Sequence, residues 1–477
     1  MVVVLLVAGG AFAVTNFLNS SGTQPATALP GNAIGYVRID VNPSGDQKLK
    51  AYEFLRRFPA VADKIGNEDE DPRKTFFEAV AEDDECIAKI DYAKDIEPWI
   101  GDRLGVAVLP TEGRDEPEVV IALEVKDQEA AKDGMDKIAA CEDSEAGVAF
   151  TGDYAVLAET KAAAEKSAKA AESSPLAEAE QFKSDMDAVG DQGIASFWFD
   201  GDAIAKLTGE QAGIGAVSPK QGRLVGAVKF DSRYIELTGL QRGGPTFPAN
   251  AASVATGNLP DSTAAALSIG GAGDLVKKSW PQLQKALDQS GMGGEFDTMI
   301  RQAEQQLGVE LPDDLVTLLG QDTTVAVDQE GLDSLSGGSG MPKVGLRFTT
   351  DVAKAKPVLD KLLDTANQMM AAQTGSSQLQ LGRADGNGQL AVGSTQEYAD
   401  ALVAGGKLGE SEAFQLAIPE ADKAQFALFV DLDKLEKLYL QTMKGEEKDN
   451  LEKLQAVGLS CGRDEDGSRF SFRVVAN

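Results

Sequence analysis

Histidine is absent from the chain. Its absence removes Ser-His-Asp and Cys-His catalysis, the usual imidazole base, and the commonest zinc, copper and iron ligand sets. Cysteine is nearly as scarce, with three residues in 477. Cationic side chains are outnumbered: 45 Lys and Arg stand against 76 Asp and Glu, a formal charge of -31. A surface of that sign repels phosphate backbones and anionic headgroups, so nucleic acid is not an expected partner. The acidic excess reads as a solubility device. No G-x-S-x-G nucleophile elbow stands out, and the phosphate-binding glycine spacings and the calcium-loop spacing are missing. No cofactor or metal is expected, and the chain reads as a non-enzyme.

What is present is an ordinary globular mixture, 43% hydrophobic and 25% charged, long enough for two or three domains. Residues 1–18 form an uncharged apolar run, at the boundary between a short transmembrane helix and a signal-peptide core. Ala11-Phe12-Ala13 offers a cleavage-like site, but the run continues to Leu18, which favours an uncleaved single-pass anchor. Its missing basic flank leads us to expect a longer reading frame upstream. Either reading places the bulk of the chain outside the cytoplasm, and the favoured anchor holds it at the cell membrane. Cys86 and Cys141 could close one disulfide, worth roughly 3 to 4 kcal/mol in the loop-entropy model, leaving Cys461 single. Three buried thiols are the alternative.

The chain repeats itself. "ALPGNAIGYVRID" from Ala28 returns as "NLPDSTAAALSIG" from Asn258, and "PEVVIALEV" from Pro117 as "PKVGLRFTT" from Pro342. "SPLAEAEQF" from Ser174 returns as "GKLGESEAF", and "FWFDGDAIAKL" from Phe197 as "LFVDLDKLEKL". Blocks recurring in the same order imply two homologous halves, 28–242 and 258–477. They follow a polar stalk at 19–27 and are joined by a Gly- and Pro-bearing linker at 243–257. Alternating strands, tight turns and amphipathic Ala- and Lys-rich helices predict an α+β fold. Each half is expected to be a mostly antiparallel sheet with helices packed on one side, behind an N-terminal apolar helix.

The leading carboxylate candidates are Asp200 and Asp202, superposed by the repeat on Asp431 and Asp433. Strand-end carboxylates of this kind could bind a divalent cation or share a proton. The simpler reading is a helix cap, with the second Asp of each pair placed to accept free N–H groups. The acidic runs at 67–72 and 81–86 read as solvated helix ends, and Trp99, Trp198 and Trp280 as core. In "WIGDRLGVAV" at 99–108, Asp102-Arg103 could be an acid-base pair. Its counterpart "LLGQDTTVAV" keeps the glycine and the strand but not the charges. We therefore read a helix stop, a Gly turn and a buried strand.

"ALPGNAIGYVRIDVNPSGDQKLKAYEFLRRFP", "DYAKDIEPWIGDRLGVAVLP" and "GDYAVLAET" together resemble the actinobacterial family called domain of unknown function 3352. That resemblance implies a membrane-anchored extracytoplasmic protein and supplies no catalytic residues. The expected function is a non-catalytic binding or scaffolding module of the cell envelope, anchored through its N-terminal helix. A carrier of a lipid or other apolar ligand is the second reading, and a hydrolase using Asp200 or Asp431 the third.

Overall fold

The computed structural model describes residues 23–43, 45–62, 71–81, 86–111, 117–142, 146–208, 221–248, 251–336, 341–374, 381–465 and 467–477. The apolar run 1–18 and most of the stalk lie outside them, as do most of the two acidic runs. Among the described residues, no helix is long and apolar enough to cross a membrane. The described chain separates into two compact units, with the division between Gly244 and Pro245.

In the first unit the strands are β1 (Gly35–Asp40), β2 (Ile100–Leu109), β3 (Glu118–Val125), β4 (Gly147–Thr151), β5 (Tyr154–Ala158), β6 (Ala195–Asp200), β7 (Arg223–Phe230) and β8 (Tyr234–Arg242). They lie in the order 4-5-3-2-1-6-7-8, with antiparallel neighbours throughout. The second unit has β9 (Thr263–Gly270), β10 (Asp322–Asp328), β11 (Val344–Thr349), β12 (Gly382–Gly386), β13 (Gln389–Gly393), β14 (Phe426–Asp431), β15 (Leu454–Asp464) and β16 (Gly467–Ala476). Their order is 12-13-11-10-9-14-15-16, again antiparallel. Adding eight to each strand number converts the first order into the second, so the sequence repeat is a repeat of topology.

Because side chains alternate along a strand, each sheet has two faces, and the chain treats them differently. The first face is sealed. Tyr36, Ala107, Val120, Tyr154, Val156 and Trp198 project from it into a core closed by α4 (Lys161–Ser173) and α5 (Glu180–Val189), joined by the entry turn at 25–29. The entry turn is pinned the same way in both units: Leu176 N–H donates to Leu29 O at 2.8 Å, and Leu408 N–H donates to Leu259 O at 3.1 Å. Gly105 makes room for it, since a Cβ there would lie 2.4 Å from Pro25 Cβ. In the second unit α11 (Gln396–Ala404) and α12 (Glu412–Ala417) take the equivalent places, with Leu402 and Tyr398 against Gly345 and Ala417 against Gly458.

Helices also cover part of the second face, which corrects the expectation that they pack on one side. In the first unit α3 (Gln128–Glu142) sets Ala131 and Met135 against Ala155, Val125, Ile96 and Trp99. Gly134 permits this, because a Cβ there would meet Trp99 Nε1 at 2.2 Å. At the other side Phe54, from α1 (Gly45–Leu55), packs on Phe230 at 5.6 Å between ring centroids. In the second unit α9 (Asp313–Leu319) and α10 (Val352–Thr374) pack on Phe348, Leu390 and Val392. The strands explain this placement. "VVIALEV" is apolar at both parities, so both faces lose surface to water when covered.

Hairpin turns fall where Gly and Asp signals place them: Asn387 and Gly388 adopt positive φ between β12 and β13, as a tight two-residue turn requires. Trp99 and Trp198 are buried, and Trp280 is half-buried against Phe296. Cys86 and Cys141 are joined in a disulfide, and Cys461 is free. The bond ties the chain ahead of residues 87–96 to α3. Replacing both cysteines by serine is expected to lower the unfolding free energy by roughly 2 to 4 kcal/mol. Urea denaturation measures this; a midpoint insensitive to the substitution would show that the link constrains nothing.

Candidate functional site

The Asp pairs resolve first. Asp200 accepts a bond from Ala203 N–H at 3.0 Å, and Asp431 from Lys434 N–H at 3.2 Å. Each caps the helix that follows, α6 (Gly201–Thr208) or α13 (Leu432–Tyr439). The cap is thus the first Asp of each pair, not the second. The reason is geometric: the helix begins immediately after the strand, so the last strand residue is the one with extended backbone and free access to the first turn. Asp202 instead accepts from the N–H groups of Gln221 and Gly222, at 2.7 and 3.3 Å, and Asp433 accepts from Asn477 Nδ2 at 3.0 Å. All four carboxylates are engaged locally. No group of three or more metal-ligating side chains occurs among the described residues.

The charges that carry structural weight lie on the sealed faces. Arg103 is buried in β2. Its Nε donates to Asp40 Oδ2 at 3.1 Å, and its Nη1 donates to Thr23 O at 3.1 Å and lies 3.8 Å from Glu124 Oε1. Arg38 donates to the same Asp40 oxygen at 2.5 Å, and Tyr154 Oη donates to Thr23 O at 2.5 Å. Burial pushes the Glu124 carboxyl above its ordinary range. Two guanidinium groups and two carboxylates therefore balance, and the net effect is to hold Thr23, at the entry to the unit, against the sheet.

The second unit does the same with other residues. Arg347 of β11 donates to Ala255 O at 2.7 Å and to Asn258 O at 3.3 Å. Asp322 accepts from the N–H of Ala255, so both main-chain polar groups of that residue are gripped. A hydroxyl chain runs beside them, Thr256 to Ser268 at 2.7 Å and Ser268 to Thr324 at 2.9 Å. Asp322 Oδ1 and Arg347 Nε have no hydrogen-bond partner. Burial pushes the Asp322 carboxyl up to about 6, against the pull of Arg347. In the first unit Asp185 is a further buried carboxylate, taking Trp198 Nε1 at 2.9 Å and Arg223 Nε at 2.6 Å.

The second faces carry few charges, with Asp102 at one end in the first unit and Arg383 and Asp385 on β12 in the second. Across the second unit, directly paired residues form an apolar row from Val392 through Leu346, Val325, Leu267, Leu428 and Leu459 to Phe472. A parallel row runs from Val344 through Val327, Ala265, Val430 and Val457 to Val474. The wall is open to solvent where the rows are least covered, with Val325 37%, Leu346 38% and Val344 41% exposed. The first unit repeats the wall from Leu157 through Ile121, Val106 and Val37 to Phe197.

Comparison with known families gives two matches to one family model, described as "Protein of unknown function (DUF3352)", over residues 1–147 and 137–475. The chain belongs to the DUF3352 family. No curated protein matches it.

In this DUF3352 protein Asp102 and Arg103 have different partners, Arg73 and Asp40, and lie within the strand rather than in a turn. Arg103 is the clasp just described, and Gly101 to Arg103 form an irregularity in the β2–β3 register within the strand. The glycine that recurs in the repeat serves two purposes. Gly101 lies beneath Glu124, whose Cγ would be 2.5 Å from an added Cβ, whereas Gly320 ends α9 at a φ of 57°. Only the second unit has the helix stop and Gly turn expected of both. Arg38, Asp40, Glu124, Asp322 and Arg347 escaped sequence reasoning. Their signal was a charge inside an alternating apolar strand, as in "YVRID" and "VGLRF".

Asp322 yields a pH prediction. Its carboxyl binds a proton more tightly folded than unfolded, so the stability it contributes is complete below about 4 and is lost as pH rises through about 6. The penalty reaches up to about 3 kcal/mol at pH 8. Asp322→Asn removes the titration and is expected to raise the melting temperature at pH 8, with the gain vanishing toward pH 4. Calorimetry across that range checks it, and a gain constant with pH would contradict it.

Proposed function

We propose that this protein is a non-catalytic, extracytoplasmic binding module that takes an apolar ligand on the open face of its sheets. The observation carrying this reading is the pair of apolar rows across the second unit, left partly exposed although the opposite face is sealed. Soluble proteins seldom leave contiguous strand surface of this kind uncovered without a use for it. The buried charges support a non-catalytic role, since Arg103, Arg347, Asp40 and Asp322 all serve to hold main chain. A location outside the cytoplasm, with residues 1–18 as membrane anchor, is part of the proposal. It is supported by that run's apolar character and by the Cys86–Cys141 disulfide, a bond at home in oxidising compartments.

An uncharged solvatochromic dye such as Nile red tests the reading. The wild-type chain is expected to bind it with a blue-shifted emission. Leu346→Asp combined with Val325→Asp should weaken binding by roughly tenfold or more, because a carboxylate on the wall must be desolvated by the ligand. These residues are already partly exposed, so the melting temperature is expected to change little. Unchanged dye binding in the double variant would remove the wall as the binding surface.

A further inference from the structure

At one end of the first unit's open face the apolar wall meets a polar cluster. Along β2 the residues on that face are Val108, Val106, Leu104 and then Asp102, whose backbone C=O accepts from Val41 N–H at 2.9 Å, continuing the β1–β2 pairing. Asn42 Nδ2 donates to Asp102 Oδ2 at 3.2 Å, and Lys48 Nζ donates to Asn42 Oδ1 at 3.4 Å. Arg73, in α2 (Pro72–Ala81), reaches within 3.7 Å of Asp102 Oδ1.

The cations here are not equally satisfied. Arg73 is paired with Asp71, each of its two bonds 2.8 Å long, and Lys50 is paired with Asp46 at 2.9 Å. Lys48 is only 7% exposed, yet among the described residues its one hydrogen bond is a long one to an amide oxygen, and no described carboxylate lies within ion-pair distance of it. An ammonium carries three donors and a full charge, and leaving both under-used at that burial is costly. Burial lowers the amine to about 8, against the pull of Asp102 and Asp71.

We propose that this cluster is a headgroup site, in which Lys48 pairs with the carboxylate of a single-chain amphiphile whose hydrocarbon lies over Leu104 and Val108, the partly exposed members of the column. The inference rests on the apolar-ligand reading above and adds the ligand class. The column supplies about 13 Å of apolar strand, enough for much of an acyl chain. Charge complementarity selects the head: the under-paired group is a cation, and a carboxylate provides the acceptors that Asn42 alone does not. The second unit lacks the site, since the repeat puts Gln321 in place of Asp102 and an exposed Lys278 in place of Lys48.

Competition against bound Nile red, with the full chain, distinguishes the two levels of the argument. Hexadecanoate is expected to displace the dye at roughly tenfold lower concentration than hexadecan-1-ol, which has the same chain and no charge. Lys48→Met should abolish that preference and Lys48→Arg should retain it. In the wild type the preference should fade as pH rises through about 8, where the amine loses its proton. The other titratable groups around it are Asp71, Asp102, Arg73 and Tyr92; the Asp71 carboxyl is held low and Arg73 and Tyr92 are held high, so none of those three changes charge over that step. Dye binding with no preference for the carboxylate, or a preference that survives in Lys48→Met, overturns the headgroup site alone. Failure of the dye to bind overturns both levels. The pH titration needs no variant, so misfolding of Lys48→Met leaves the test intact.

Discussion

A guanidinium buried in a sheet cannot shed its proton, so the fold must bring acceptors to it. Both units answer with main-chain oxygen from the segment that precedes their first strand: Thr23 for Arg103, and Ala255 and Asn258 for Arg347. Everything on the sealed face follows from that grip. With the entry segment fixed, Leu29 and Leu259 are fully buried, and their carbonyls receive the N–H groups of Leu176 and Leu408. The short helices that follow are thereby docked on the same face. The entry segment becomes the lid of the core, and the opposite face stays partly open to solvent.

The duplication was legible in the sequence because burial constrains apolar positions, and those recur in order. Strand order was not legible, since pairing between distant strands leaves no local mark; that both units share one order is a structural result. The charged clasp was hidden for a more particular reason. Comparing the halves position by position sets Arg103 against Asp322, and the change looks like the loss of a role. The role has moved instead to Arg347 on the adjacent strand, at the position held by Ala122 in the first unit. Two side chains reaching the same carbonyl region from neighbouring strands are equivalent in space and unrelated in alignment.

The helix arrangement was misjudged through the same kind of ambiguity. An amphipathic helix requires one apolar surface, and the sequence does not say which face of a sheet supplies it. The signal lay in the strands: "VVIALEV" and "ASFWFD" are apolar at both parities, which a sheet covered on one side does not need. Lys48 gave no signal at all. A lysine in the first turn of a helix reads as solvated, and its burial arises from Asn42 and α1 folding over the end of β1.

The open wall and the charge imbalance belong to one argument. Exposed rows of Val, Leu and Phe on a strand surface invite pairing with another copy, and the usual defence is charge on the same surface. Here the second faces carry few charges, so the defence lies elsewhere. A net charge of -31 makes any two copies repel over the length of a Debye layer, before their apolar faces can meet. A small ligand with one charge or none is hardly affected by that repulsion. On the proposed apolar-ligand reading, the acidic surface would act as a filter of size, holding back identical proteins while leaving the wall available to molecules too small to carry a field of their own.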